Sequence, residues 1–244
     1  MSIELLVALA AAVFLIAVLY SSVGHAGASG YIAVMTLFGL APAVIKPTAL
    51  ALNILVASIA TLQFARSGHF SWKLFWPFAL LAVPAAFVGG YVALPVHVFK
   101  VVLGLVLLYS AFRLLVTAGA EKPLRTAPLW LAVACGAVIG LLSGLTGTGG
   151  GIFLTPLLLL MGWASPKRAA AVSALFILLN STAGLLGNVS STRQLPSYLW
   201  VLLVAAGIGG TLGSYLGSNR VPVTAIKRLL AGVLLIAGGK LVLA

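Results

Sequence analysis

Ser143-Gly144-Leu145-Thr146-Gly147-Thr148-Gly149-Gly150-Gly151 decides how this chain is read. It separates two apolar stretches, 129–146 and 152–163, at a point where a membrane-crossing helix would be expected to continue. A weaker copy, Gly24-His25-Ala26-Gly27-Ala28-Ser29-Gly30, stands near the N-terminus. Irregular backbone at membrane depth persists only where protein buries it or where it lines a wet cavity. Two such breaks in matching positions of two halves point to a binding site between them.

Composition fits that reading. Of 244 residues, 62% are hydrophobic and 7% charged, whereas a soluble domain carries roughly a quarter charged residues. A polytopic all-α membrane protein follows. Each span needs ~20 apolar residues, so ten spans with short connections would use the whole chain. The net charge is +12, but the basic residues are scattered through connections and offer no face to nucleic acid. The only acids are Glu4 and Glu121, which leaves no mid-span carboxylate for a proton or cation relay. His, Cys and carboxylates form no cluster, so neither a metal nor a cofactor is expected. Cys135 reads as a small packing residue. Residues 1–22 lack a basic leading region and read as a retained first span.

The chain reads as two copies of one unit. A shift of 123 residues sets Gly24 on Gly147, Gly27 on Gly150, Gly39 on Gly162 and Ser58 on Ser181. A shift of 124 sets Ala85, Gly89 and Ala93 on Gly209, Gly213 and Gly217; one of 127 sets Pro95 on Pro222 and Lys100 on Lys227. The halves are 1–117 and 127–244, joined by 118–126. Each holds five apolar segments: 3–22, 31–41, 47–65, 74–94 and 98–117, then 129–146, 152–163, 169–189, 197–217 and 225–243. The second segment of each half is short, as a broken or half-length helix would be, so eight to ten transmembrane helices are expected. Trp72, Trp76, Trp130, Trp163 and Trp200 fall near segment ends, as an interfacial belt predicts.

If all ten segments cross, Arg66, Lys73, Arg113, Lys122, Arg125, Lys167, Arg168, Arg220, Lys227 and Arg228 share one side. Lys46, Lys100, Arg193 and Lys240 share the other. That bias makes the first side cytoplasmic. If the short segments instead dip and return, the count is even. With five segments per half, the two halves are inverted relative to one another, and their glycine motifs can meet near the midplane.

Glycine-rich breaks leave backbone N–H groups without intrahelical partners, and a helix starting just after one presents its positive end. Together these make an anion site. Gly147, Thr148, Gly149, Gly150 and Gly151 with Thr146 suit that role, and Gly24, Gly27, Ser29 and Gly30 would face them. His25 could add a charge on protonation, for the anion or for a coupled proton. Asn53 and Asn180, with Ser173, supply buried polar groups from the third segments that need partners. The Ala85/Gly89/Ala93 and Gly209/Gly213/Gly217 series, spaced by four, read as helix-packing seams. Gly151 is followed by Ile152 and Phe153, so the motif is neither a nucleotide loop nor a dinucleotide fingerprint.

The duplicated motif and five-segment pattern resemble the TauE/SafE family of sulfite exporters over nearly the whole chain. The resemblance is carried by Gly147-Thr148-Gly149-Gly150-Gly151-Ile152-Phe153-Leu154-Thr155-Pro156-Leu157-Leu158 and by Lys167-Arg168-Ala169-Ala170-Ala171-Val172-Ser173-Ala174. In the first motif Ala26, Ala28 and Ser29 replace glycines, His25 is added, and no Pro follows. The resemblance implies movement of sulfite or small organosulfur or carboxylate anions across a bacterial cytoplasmic membrane. The expectation is a secondary transporter working by alternating access between the halves, with protons as a candidate coupling ion. A homodimer is one assembly the sequence allows. The rivals are a passive anion channel and, from Gly27-Ala28-Ser29-Gly30, a rhomboid-like intramembrane serine protease.

Overall fold

The computed structural model describes residues 2–92, 124–188 and 195–222, with single positions in 108–115 and 224–239. Its elements, in chain order, are α1 (Ile3–Ser22), α2 (Ala28–Leu37), α3 (Pro42–Arg66), α4 (Trp72–Tyr91), α5 (Leu129–Thr146), α6 (Gly151–Leu160), α7 (Pro166–Gly187) and α8 (Leu199–Tyr215). A π-helical turn, Leu216–Arg220, extends α8. The polytopic all-α class expected from composition is the one adopted. Ile3–Ser22, Val44–Arg66, Trp72–Tyr91, Leu129–Thr146, Pro166–Gly187 and Leu199–Arg220 are each long and apolar enough to cross a membrane.

The two short segments are half-length helices. Each of α2 and α6 has 10 residues, which at 1.5 Å per residue gives ~15 Å against a hydrocarbon thickness of ~30 Å. Neither crosses alone. The segments 98–117 and 225–243 lie outside the described residues apart from single positions, and so does Ala93 of the first packing series.

Glycine makes the breaks. Gly147 ends α5 with φ +74, and its N–H donates to Ser143 O at 2.8 Å. Gly149 (φ +78) and Gly150 (φ +81) then turn the chain into α6. Residues with a Cβ rarely adopt this left-handed geometry. In the first half Gly24 (φ +78) and Gly27 (φ +105) do the same, and Gly39 and Gly162 (φ +74 and +68) end the short helices. Every glycine pair aligned by the 123-residue shift therefore has positive φ in both members.

Hydrogen bonds between connections fix which helix ends lie together. Arg125 N–H donates to Gly162 O at 2.8 Å, so α6 returns to the face from which α5 departs. At that face Lys167 Nζ donates to Ser218 O (3.2 Å), His69 Nε2 donates to the same carbonyl (3.1 Å), and Ser67 Oγ donates to Asn219 Oδ1 (3.2 Å). Arg66, Lys73, Arg125, Lys167, Arg168 and Arg220 thus gather at one end of the bundle. Short segments that returned to their own side would have set Arg125 and Lys167 at opposite ends. Lys46 is at the far end, its stem over Gly147 at the close of α5. Gly24, closing α1, abuts the Ala170 backbone in the second turn of α7. Hence α1 runs toward the basic end and α5 runs away from it.

Two glycine seams hold the bundle. Gly136, Gly140 and Gly144 of α5 lie on the carbonyls of Phe78, Ala82 and Ala86 of α4. Gly209, Gly213 and Gly217 lie on the carbonyls of Phe14, Val18 and Ser22 of α1. Lipid tails are as apolar as Leu, so close backbone approach and the Cα–H···O contacts it permits do much of the work in helix association. One core joins Val13, Tyr31, Leu52 and Leu202 from α1, α2, α3 and α8; the other joins Phe78, Ile139, Leu154 and Phe176 from α4 to α7. The fourth helix of each half is therefore built into the core of the other. Trp72, Trp76, Trp130 and Trp200 are exposed, but Trp163 is buried against Phe78 with ring centroids 6.0 Å apart. Its place at a segment end had suggested the belt; the return of α6 under α4 takes it inside.

Val at Gly140 or Gly213 must push two backbones apart, and overpacking of this kind costs about 1–3 kcal/mol or more. Gly140→Val and Gly213→Val should each lower the thermal unfolding midpoint by several degrees. Gly207→Ala, whose Cβ would meet only Leu55 Cδ2 at 3.4 Å, should leave it within a degree or so of wild type.

Candidate anion site at the junction of the glycine breaks

The N-terminus of α6 is uncapped by any side chain. Gly150 O accepts from Phe153 and Leu154, but among the described residues nothing accepts from the N–H groups of Gly149, Gly150, Gly151 or Ile152. These donors converge at the positive end of a half-helix whose other end is at the basic face, which puts them at about half the membrane depth. The threonines before them are committed locally. Thr146 Oγ1 donates to Leu142 O (2.7 Å) and lies 2.8 Å from Thr148 Oγ1, and Thr148 N–H donates to Thr146 Oγ1 (3.4 Å). Both residues thus close the last turn of α5 and free the next amides.

The first break meets the second through one residue. His25 is 3% exposed, and its Nε2 lies 2.9 Å from Gly151 O. A carbonyl only accepts, so Nε2 carries the proton and Nδ1 is left with no partner. His25 N–H itself returns to Tyr20 O (2.9 Å), which fixes the ring's origin at the end of α1. Gly24 reaches the other half too, against Ala170. Gly27, Ser29 and Gly30 do not face the second motif. Ser29 Oγ donates to the Tyr20 hydroxyl (3.1 Å), and Gly27 and Gly30 pack on Ile16 of α1. The reason is steric: α2 folds back on α1, and only residues without bulk fit between them. Ser29 and His25 consequently form no nucleophile–base pair.

The third helix of each half contributes buried polar groups. Asn53 of α3 is fully buried; its Nδ2 donates to Thr148 O (3.4 Å) and to Ser181 Oγ of α7 (3.3 Å), while Oδ1 has no partner. A Cβ on Gly149 would come within 2.8 Å of both Asn53 Nδ2 and Ser181 Oγ. Asn180 is 1% exposed, with neither amide atom hydrogen-bonded. Ser173 stands apart from Asn53 and accepts from Thr155 Oγ1 of α6 at 2.7 Å.

Three residues at this junction went unread as site residues in the sequence. Ser181 continues the face of Ser173 and Ile177 at a spacing of four, a signal that could have found it. Ser143, buried with its hydroxyl unpartnered, underlies Gly150. Lys46 sits half-buried with its Cγ 3.0 Å from where a Gly147 Cβ would stand, and no described residue pairs with its ammonium.

The family described as sulfite exporter TauE/SafE matches residues 9–241. The chain belongs to the TauE/SafE family. A relative from Sinorhizobium fredii (strain NBRC 101917 / NGR234), named probable membrane transporter protein y4hK, is 44% identical over 240 residues, covering 96% of this chain and 97% of its own. A probable membrane transporter protein of Xylella fastidiosa (strain Temecula1 / ATCC 700964) is 34% identical over 92 residues, 37% of this chain and 34% of that one. No solved structure matches. This TauE/SafE chain is thus a multi-pass membrane protein of a transporter family, and the glycine breaks lie well inside the matched span.

The Asn53–Ser181 bond is the polar tie between α3 and α7 at this site. In a double-mutant cycle of Asn53→Ala and Ser181→Ala, unfolding measurements should give a coupling of about 0.5–1.5 kcal/mol. Purely additive losses would remove that bond from the account.

Proposed function

We propose that this TauE/SafE protein is a secondary transporter of small oxyanions, with sulfite or an organic sulfonate as substrate. The observation that carries the reading is the set of unpartnered N–H groups of Gly149 to Ile152 beside the buried, unpaired hydroxyl of Ser143, with His25 Nδ1 able to join them as a donor only when protonated. Buried polar atoms are almost always hydrogen-bonded. A tetrahedral or pyramidal oxyanion supplies several acceptors at once, at the positive end of a helix, without needing a fixed cation. Sulfite itself comes from the family name and the resemblance; the geometry supports the oxyanion class.

The substrate site comprises Gly147 to Gly151 with Asn53 and His25. Thr146 and Thr148 position it, Gly24 closes it against α7, and Ser173 and Asn180 form an outer polar layer. Gly27, Ser29 and Gly30 serve by letting α2 lie on α1. The two halves are inverted repeats, as the opposite runs of α1 and α5 suggest, and alternating access arises by rocking one half-helix and its core against the other. The basic end faces the cytoplasm of a bacterial inner membrane. Protonated at Nδ1, His25 becomes a second donor, so anion and proton would each favour binding of the other. The protein carries substrate and performs no chemistry on it.

Uptake of radiolabelled sulfite into proteoliposomes tests this, with taurine, sulfate and acetate as competitors and with an imposed pH gradient. Saturable uptake with counterflow is expected; linear uptake without counterflow would mark a channel. Gly149→Ala, strained at φ +78 and crowded by Asn53 and Ser181, should lose at least about tenfold in uptake while still inserting. Gly39→Ala, with similar φ but nothing within 4 Å of its Cβ, should retain most activity. His25→Gln, which cannot acquire the charge, should flatten the pH dependence. Normal uptake by Gly149→Ala would sink the site assignment.

A further inference from the structure

A hollow lined by cations lies at the basic end, away from the glycine junction. A cavity of ≈ 250 Å³ there is lined by Ser71 and Lys73 at the start of α4, Arg125 and Thr126 before α5, Trp163 after α6, and Arg168 of α7. Three cations reach it, from the first turns of α4 and α7 and from the stretch before α5. Among the described residues no lining residue is acidic, and none of α4, α5 and α7 has an acid in its first turn. Among the described residues no carboxylate pairs with Lys73, Arg125 or Arg168.

Orientation in the membrane requires basic residues in connections, but it does not require them to converge on one hollow. Convergence is built here. The Arg125 N–H to Gly162 O bond ties the stretch before α5 to the turn after α6, and the Trp163–Phe78 contact ties that turn to α4. Ser71 is the N-cap residue of α4, and its hydroxyl accepts no bond from the first turn of that helix. Leu74, Pro77 and Phe78 supply an apolar part of the lining.

We infer that this cavity binds a phosphate-type oxyanion, with Arg125, Arg168 and Lys73 as its charged partners and the Ser71 and Thr126 hydroxyls as neutral ones. Guanidinium groups bind such anions through paired hydrogen bonds, and the ammonium adds a point charge. The oxyanion can come from an anionic lipid headgroup or from solution. The inference is independent of what the glycine junction carries.

The full-length protein in neutral detergent tests it, read by native mass spectrometry and by thermal unfolding. The probes are dioleoylphosphatidylglycerol, dioleoylphosphatidylcholine and inorganic phosphate; the proteins are wild type, Arg125→Gln/Arg168→Gln, and Arg66→Gln as a cation of the same end outside the cavity. Retention of phosphatidylglycerol over phosphatidylcholine, weakened at least about tenfold in the double variant and unchanged in Arg66→Gln, supports a lipid headgroup site. Phosphate binding with the same dependence on the variants supports a solute site. Equal retention of both lipids with no phosphate binding, or binding that the double variant leaves intact, overturns the inference. Should the double variant fail to fold, Lys73→Gln is read in the same way.

Discussion

A helix backbone can rest directly on another only where a Cβ is missing, and this bundle depends on that contact twice. Gly136, Gly140 and Gly144 let α5 lie on the carbonyls of α4; Gly209, Gly213 and Gly217 let α8 and its π-helical turn lie on those of α1. In lipid there is little hydrophobic gain from bringing helices together, so close contact must supply the attraction. The seams join α4 to the second half and α8 to the first. Neither half can complete its core alone, which is why the sequence division near residue 120 does not coincide with the two packing cores.

Packing also explains how a half-helix can end inside the protein. With α2 packed on α1 and α3, and α6 on α7, the half-helices need not reach across the bilayer, and their glycine-made starts are enclosed by α3 and α7. Enclosure would ordinarily penalise free N–H groups heavily. The uncapped amides of Gly149 to Ile152 therefore represent a cost maintained by the rest of the fold, the pattern expected where a ligand completes the bonding. His25, reaching from one break to the carbonyl of Gly151 in the other, ties the two openings together.

Much of this was legible because glycine reports backbone geometry regardless of surroundings. Gly24/Gly147, Gly27/Gly150 and Gly39/Gly162 could be paired by spacing, and all six have positive φ. The seam at Gly209, Gly213 and Gly217 was readable from its spacing of four. Its partner at Gly136, Gly140 and Gly144 was missed, since in one seam the glycines sit on the half's first helix and in the other on its fourth. Comparing the halves thus conceals it. The roles of Gly27, Ser29 and Gly30 were also beyond reach, because which way α2 folds against Ile16 and Tyr20 is a tertiary fact. Trp163 misled for the same reason: its position at a segment end suggested lipid, and the return of α6 buried it. Side-chain partnerships such as Asn53 with Ser181 join residues 128 apart, and nothing local encodes them.

The most direct measurement of the central claim is amide NMR of protein labelled with ¹⁵N-glycine, titrated with sulfite in detergent or nanodiscs. The Gly149, Gly150 and Gly151 resonances should shift saturably, while Gly39, Gly136 and Gly209 stay in place. Saturable shifts elsewhere, with Gly149 to Gly151 unmoved, would contradict that claim.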